Sequence, residues 1–334
     1  MVSTERKTIV TKRSLTYSYL FAAPRDAKPT LFFAHGFPST GQLWRRQVEF
    51  FGSRGYGLIV PDMLGYGGTS KPTDPAVYIG SGLAADVVDI LDKEGVSTVI
   101  TVAHDWGTHV VSRLINYHPE RVSASIFLAV GYIPPIPKGR DIITNSKKVA
   151  ELVGYDIFAY MRWFVTEEAA RLIDGVEDGQ DRIDSFINLL YPEKPELWRD
   201  TNMCVDGGAR EWIVKNRRTA LPAWMTPEDF EYHRKQLKEG GLSAPLCWYK
   251  MLQTKETAED DAKVLDTKLT NPMLYIPFLC DCICRRESAA ATYNDPSKVT
   301  GKVTVKELPE ADHWGVESHG EEINGWILEW LGEL

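Results

Sequence analysis

No stretch of this 334-residue chain approaches the roughly 20 consecutive apolar residues that a membrane span needs, which excludes a bilayer-spanning helix as an expectation. A long basic run is also missing. The 38 Lys and Arg and 46 Asp and Glu are interspersed to a net charge of −8, so nothing resembles a footprint for nucleic acid. Residues 1–20 mix Glu, Lys, Arg and Thr without a signal-peptide apolar core, and Gly332-Glu333-Leu334 is not a peroxisomal address. The expected location is cytoplasmic. Cysteine is scarce and odd in number: Cys204, Cys247, Cys280, Cys282 and Cys284 argue for free thiols over a disulfide framework. Three of them fall in Cys280-Asp281-Cys282-Ile283-Cys284, whose one-residue gaps differ from the C-x-x-C spacing of zinc sites. They are expected to be small apolar side chains at a strand end, and no metal or cofactor site is read anywhere. No G-x-S-x-G string occurs, and Ser81 in Gly80-Ser81-Gly82 has no strand before it, so a serine esterase is excluded. Internal repeats and low-complexity tracts are absent, which removes solenoids and flexible linkers.

What is present suits a large folded core: 43% hydrophobic and 25% charged residues. Short apolar runs at Thr30 to Ala34, Gly57 to Val60, Val99 to Ala103 and Ser125 to Val130 read as buried parallel strands. Between them lie helical patterns at Leu43 to Gly52, Leu83 to Asp92 and Thr108 to Tyr117, which together make an α/β alternation. After Gly131, Pro134, Pro135 and Pro137 come about 120 residues of mostly helical, Trp- and Tyr-rich sequence, read as an inserted lid. Strand character returns at Met273 to Ile276 and Lys302 to Val305, and an amphipathic helix from Glu321 to Leu331 closes the chain. The expected division is a core over 1–131, a helical cap over 132–262 and the rest of the core over 263–334.

The run Val99-Ile100-Thr101-Val102-Ala103-His104-Asp105-Trp106-Gly107-Thr108 carries the chemistry. It reads as a strand, a sharp turn and a helix, the context of a nucleophile elbow, with Asp105 where serine is usual and small Ala103 and Gly107 beside it. A carboxylate attacks saturated carbon and forms an ester, which suits epoxides and alkyl halides. Turnover then needs a base to activate water. His313, in Asp312-His313-Trp314-Gly315 between a late strand and the last helix, is the best placed of seven histidines. His35 and His104 are expected to brace turns, and His109, His118, His233 and His319 to be packed or solvated. Asp281 is the expected partner that orients the base, with Asp312 and Glu310 as alternatives. Backbone N–H groups of Phe37, in His35-Gly36-Phe37-Pro38, and of Trp106 are expected to form the oxyanion hole.

The motifs His35-Gly36-Phe37-Pro38, Pro61-Asp62-Met63-Leu64-Gly65-Tyr66-Gly67, His104-Asp105-Trp106-Gly107 and Asp312-His313-Trp314 jointly resemble the α/β-hydrolase-fold epoxide hydrolases, in order and over nearly the whole chain. The resemblance implies an eight-stranded, mostly parallel sheet with helices on both faces and a helical cap. It also implies Asp105 as nucleophile, His313 as base, Asp281 as its acid, and two cap tyrosines that protonate the epoxide oxygen. Tyr249, in Ala244-Pro245-Leu246-Cys247-Trp248-Tyr249, matches the second tyrosine, although Cys247 replaces a common asparagine. Tyr160 matches the first better than Tyr155. A departure is the missing glycine between the strand and the acid in Ile276-Pro277-Phe278-Leu279-Cys280-Asp281. His35, Pro38, Trp163 and Trp248 are expected to border a small apolar or aromatic epoxide, with water as co-substrate and no cofactor. A homodimer is left open. Two competing functions stay open as well: dehalogenation by the same Asp–His pair, with Trp106 and Trp163 as halide donors, and non-catalytic or cyclase-like use of an aromatic pocket.

Overall fold

A computed structural model describes residues 4–139, 142–175 and 178–334. Eight strands form one sheet: β1 (Glu5–Val10), β2 (Thr16–Ala22), β3 (Thr30–Ala34), β4 (Gly57–Pro61), β5 (Val99–His104), β6 (Val122–Leu128), β7 (Met273–Ile276) and β8 (Val303–Val305). Their order is β1-β2-β4-β3-β5-β6-β7-β8, and only the pairings β1–β2 and β2–β4 are antiparallel. Every residue of β3, β4, β5 and β7 is buried, as expected for parallel strands covered on both faces, where apolar runs replace alternation. The residue-level reading finds these inner strands and misses β1 and β2. β1 is a charged edge strand with no buried residue, a composition that protects an open sheet edge and leaves no hydrophobic signal.

Helices cover both faces. Leu31 and Phe33 of β3 point into a core shared with Phe51 of α1 (Arg45–Ser53) and with Ile323, Ile327 and Trp330 of the helix Gly320–Leu331. Phe32 and Ala34 point the other way, toward Leu83 and Val87 of α2 (Gly80–Lys93) and Val110 and Leu114 of α3 (Gly107–Tyr117). Between β6 and β7 the elements among the described residues are helices alone, running from Ile142–Val153 to Lys255–Asp261. Both ends of this helical segment are fastened to α3. Arg113, 1% exposed, donates through Nε and Nη2 to Asp261 at 2.8 and 3.0 Å and through Nη1 to the Ile133 carbonyl at 2.8 Å. Asp261 also accepts from the Ile136 N–H at 2.7 Å. Further along, the Trp248 indole donates to the Leu64 carbonyl at 2.9 Å, so the segment lies over the strand ends that carry the loops. No helix among the described residues is long and apolar enough to cross a membrane.

Candidate active site

β5 delivers Asp105 to the sheet's C-terminal edge in a left-handed conformation, φ 52°. Such a residue costs about 1–3 kcal/mol unless its surroundings hold it, and the cost is lowest for Gly, Asn and Asp. Two close approaches hold this one. A Cβ on Gly107 would lie 2.0 Å from the Ala34 carbonyl oxygen, and one on Gly36 would lie 2.1 Å from Asp105 Oδ1, so both positions require glycine. The turn therefore presses α3 against β3 and aims the carboxylate outward. The Phe37 N–H donates to Asp105 Oδ1 at 2.7 Å, and the Trp106 N–H acts on the same carboxylate. The N-terminus of α3, directly behind, adds its favourable dipole.

Across from the elbow, His313 Nε2 lies 3.8 Å from Asp105 Oδ2, and His313 Nδ1 lies 2.7 Å from Asp281 Oδ2. Asp281 is buried and oriented at both oxygens, because its Oδ1 accepts the N–H groups of Ile283 at 2.8 Å and Cys284 at 2.9 Å. The alternatives are placed elsewhere: Asp312 caps the Trp314 N–H at 2.9 Å, and Glu310 is exposed. One imidazole thus faces two carboxylates. Burial disfavours its charged form, yet Asp281, its hydrogen bond and Asp105 outweigh burial and lift His313 to about 9. Burial would also raise Asp281, but the His313 charge and the Cys284 and Ile283 amides hold it below the ordinary aspartate value. For Asp105 burial dominates and the shift is upward, against the pull of His313 and the two amides.

Two phenols complete the site. Tyr160 and Tyr249 are buried, their rings 5.7 Å apart at 85°, and Tyr249 packs edge-on against both Phe37 and Trp106. Burial first and the Asp105 charge keep both hydroxyls protonated well above the ordinary phenol value; the Tyr249 phenol adds to the rise at Tyr160, whereas at Tyr249 the hydrogen bonds with Trp106 and Tyr160 offset part of it. Each is therefore a proton donor. Tyr155, the weaker match, instead donates to the Cys282 carbonyl at 2.9 Å. A cavity of about 200 Å³ opens from Asp105, Trp106 and Tyr160 toward Met161, Leu252 and Ile283.

The four side chains expected to border the substrate are not among the residues lining that cavity. His35 donates from Nδ1 to the Gly36 carbonyl and accepts the Met63 N–H at Nε2, 2.9 and 2.8 Å, and burial lowers it to about 4. It braces the turn as a neutral ring. Pro38 follows a cis peptide bond in that turn. Trp248 is consumed in packing against Tyr78 and Trp106, and the Trp163 indole donates to Glu168 at 3.0 Å. Aromatic residues in a helical cap serve first as its own core, which the sequence pattern alone does not separate from a pocket wall. Sequence reasoning missed His109, Leu252 and Cys284 in the cavity wall; no local signal marks them, since they come from three distant segments. His104 donates from Nε2 to the His313 carbonyl at 2.8 Å, bracing the loop that carries that histidine.

An eight-stranded sheet in this order with an acid elbow, a late histidine and helices inserted after β6 decides the architecture, and a family model described as the alpha/beta hydrolase fold matches residues 29–171. The chain is an alpha/beta-hydrolase-fold protein. The chain is 26% identical to the epoxide hydrolase srdG of Neurospora crassa, over 96% of this chain and 93% of that one. It is 25% identical to epoxide hydrolase A of Mycobacterium tuberculosis over 93% of both. The crystal structure of epoxide hydrolase A from Mycobacterium thermoresistibile superposes with a TM-score of 0.78, at 26% identity and 98% coverage of both chains. Resemblance to epoxide hydrolases of this fold thus extends across the alpha/beta hydrolase core and the inserted helices alike.

Proposed function

We propose that the protein hydrolyses epoxides to vicinal diols through an ester on Asp105, with residues 132–262 acting as the cap. The observation that carries this reading is Asp105 held between the Phe37 and Trp106 amides on one side and the His313–Asp281 pair on the other, beneath two protonated phenols. Asp105 Oδ2 attacks a ring carbon while Tyr160 and Tyr249 donate to the opening alkoxide. Forming the ester removes Asp105 from the three negative charges, with Asp281 and Asp312, that raise His313. With that charge gone the imidazole gives up its proton more readily, and in its neutral form it takes a proton from the water that attacks the Asp105 carboxyl carbon. Oδ1, already on the Phe37 N–H, becomes the oxyanion. Collapse expels the second diol oxygen as an alkoxide that takes the proton from His313, and the acid proton left on Asp105 returns to the phenolate, which restores the carboxylate and both phenols.

A dehalogenase reading requires indole donors facing a leaving halide, and the Trp163 indole is committed to Glu168. The apolar cavity wall favours an epoxide with an apolar body. The test is intact-mass spectrometry of His313→Gln with a panel of apolar epoxides such as styrene oxide. A stable adduct with the mass of the epoxide, lost on Asp105→Ala, is expected; diol formation that survives Asp105→Ala would refute the ester.

A further inference from the structure

The Cys284 thiol has no part in that reaction, yet its Sγ sits 3.6 Å from His313 Nδ1, and the ligand atoms of Asp281, Cys284 and His313 all lie within 4.8 Å of one another. Tetrahedral zinc, with Zn–N about 2.0–2.1 Å and Zn–S about 2.3 Å, sets an N···S edge of about 3.5–3.6 Å. The Cys284–His313 edge already has that length. The Asp281–His313 edge, now a 2.7 Å hydrogen bond, has to open by roughly 0.7 Å to reach the same geometry. Cys284 also lines the cavity that contains Asp105, so an ion that enters as a substrate does can reach it. We propose that Asp281, Cys284 and His313 form an inhibitory site for a thiophilic divalent cation of the zinc and cadmium class.

Binding is a proton exchange. The metal forms bonds to the thiolate sulfur, to Nδ1 and to a carboxylate oxygen, and releases the thiol proton. A protonated imidazole also gives up its Nδ1 proton, whereas a neutral one shifts that proton to Nε2. In either case Nε2 keeps an N–H and has no lone pair, so the ring cannot take a proton from water. Asp105 and the two phenols lie outside the metal site. The metal therefore stops ester hydrolysis and spares ring opening, a consequence that rests on the epoxide hydrolase reading; metal binding itself does not.

Two measurements separate these. Titration of the full chain with cadmium chloride, followed by the ultraviolet thiolate-to-metal charge-transfer band, reads the site without turnover. One equivalent is expected for wild type and for Cys280→Ser, the exposed thiol control, while Cys284→Ala lowers affinity by more than about tenfold, the loss that even an outer-shell partner causes. No band in wild type, or a band that survives Cys284→Ala, overturns the site. Cys284→Ser repeats the test with a hydroxyl in place of the thiol should the alanine variant not fold. Zinc chloride is then added during epoxide turnover, each variant being normalised to its own metal-free rate. Wild type should be inhibited reversibly by chelation and accumulate the adduct seen in His313→Gln, and Cys284→Ala should keep most of its rate. A cadmium band without any epoxide turnover supports the metal site and refutes the epoxide reading alone.

Discussion

Two buried clusters of charge sit about the same helix and behave in opposite ways. At the base of the inserted helical segment, Arg113 and Asp261 form a bidentate pair, with a further Arg113 proton on the Ile133 carbonyl and the Ile136 N–H on Asp261. One cation meets one anion, and guanidinium does not titrate in the physiological range. At the other end of α3, one imidazole meets two carboxylates, tightly at Asp281 (2.7 Å) and loosely at Asp105 (3.8 Å). The difference teaches what separates a fastening from a candidate reaction centre. The first cluster pairs its one cation with its one anion; the second keeps a surplus negative charge on an oxygen that faces a cavity, and its histidine is moved by that charge.

Removing the surplus charge should have the largest effect. Asp105→Ala is expected to lower epoxide turnover by on the order of 10⁴-fold or more while the far-ultraviolet circular dichroism is unchanged, since a lost nucleophile leaves only binding and the remaining donors. His313→Gln should cost on the order of 10²–10⁴ in kcat, with the covalent adduct persisting over the time of the assay. Tyr160→Phe and Tyr249→Phe remove one donor each and should each slow ring opening by on the order of 10²-fold in single-turnover measurements. An effect below threefold would take that phenol out of the reaction.

The cap-base pair sharpens the contrast from the other side. Arg113→Met or Asp261→Leu alone strands a buried charge and should cost about 3–5 kcal/mol in chemical denaturation, whereas the double variant should recover most of that loss. Activity per folded molecule should change little in the double variant. A double variant no more stable than the singles would show that the two sites do not act as a pair.

The smallest expected effect is on stability with pH. His313 is lifted from an unfolded value near 6.5 to about 9, so its charged form stabilises the fold in full below about pH 6.5, and this contribution is lost as pH rises through about 9. Urea midpoints measured between pH 6 and 10 should fall across that window in wild type and flatten in His313→Gln. An unchanged slope would mean that another group carries it.

Contiguous sequence determined the elbow and the four inner strands of the first half, and it put forward Asp105 and His313 as candidates, because each rests on local rules: apolar runs for buried strands, small residues around a tight turn, and a histidine after a late strand. The same rules cannot register β1, whose edge position demands charge rather than hydrophobicity. They also cannot tell a pocket wall from a cap core, which is why His35, Pro38, Trp163 and Trp248 lie outside the cavity lining while His109, Leu252 and Cys284 form part of it. Only the tertiary structure decided that Asp281, rather than Asp312, meets His313, and that a cysteine dismissed by its spacing reaches the same nitrogen. Distances between side chains 29 and 32 residues apart depend on how the loops after β7 and β8 fold over each other, and no spacing along the chain encodes that.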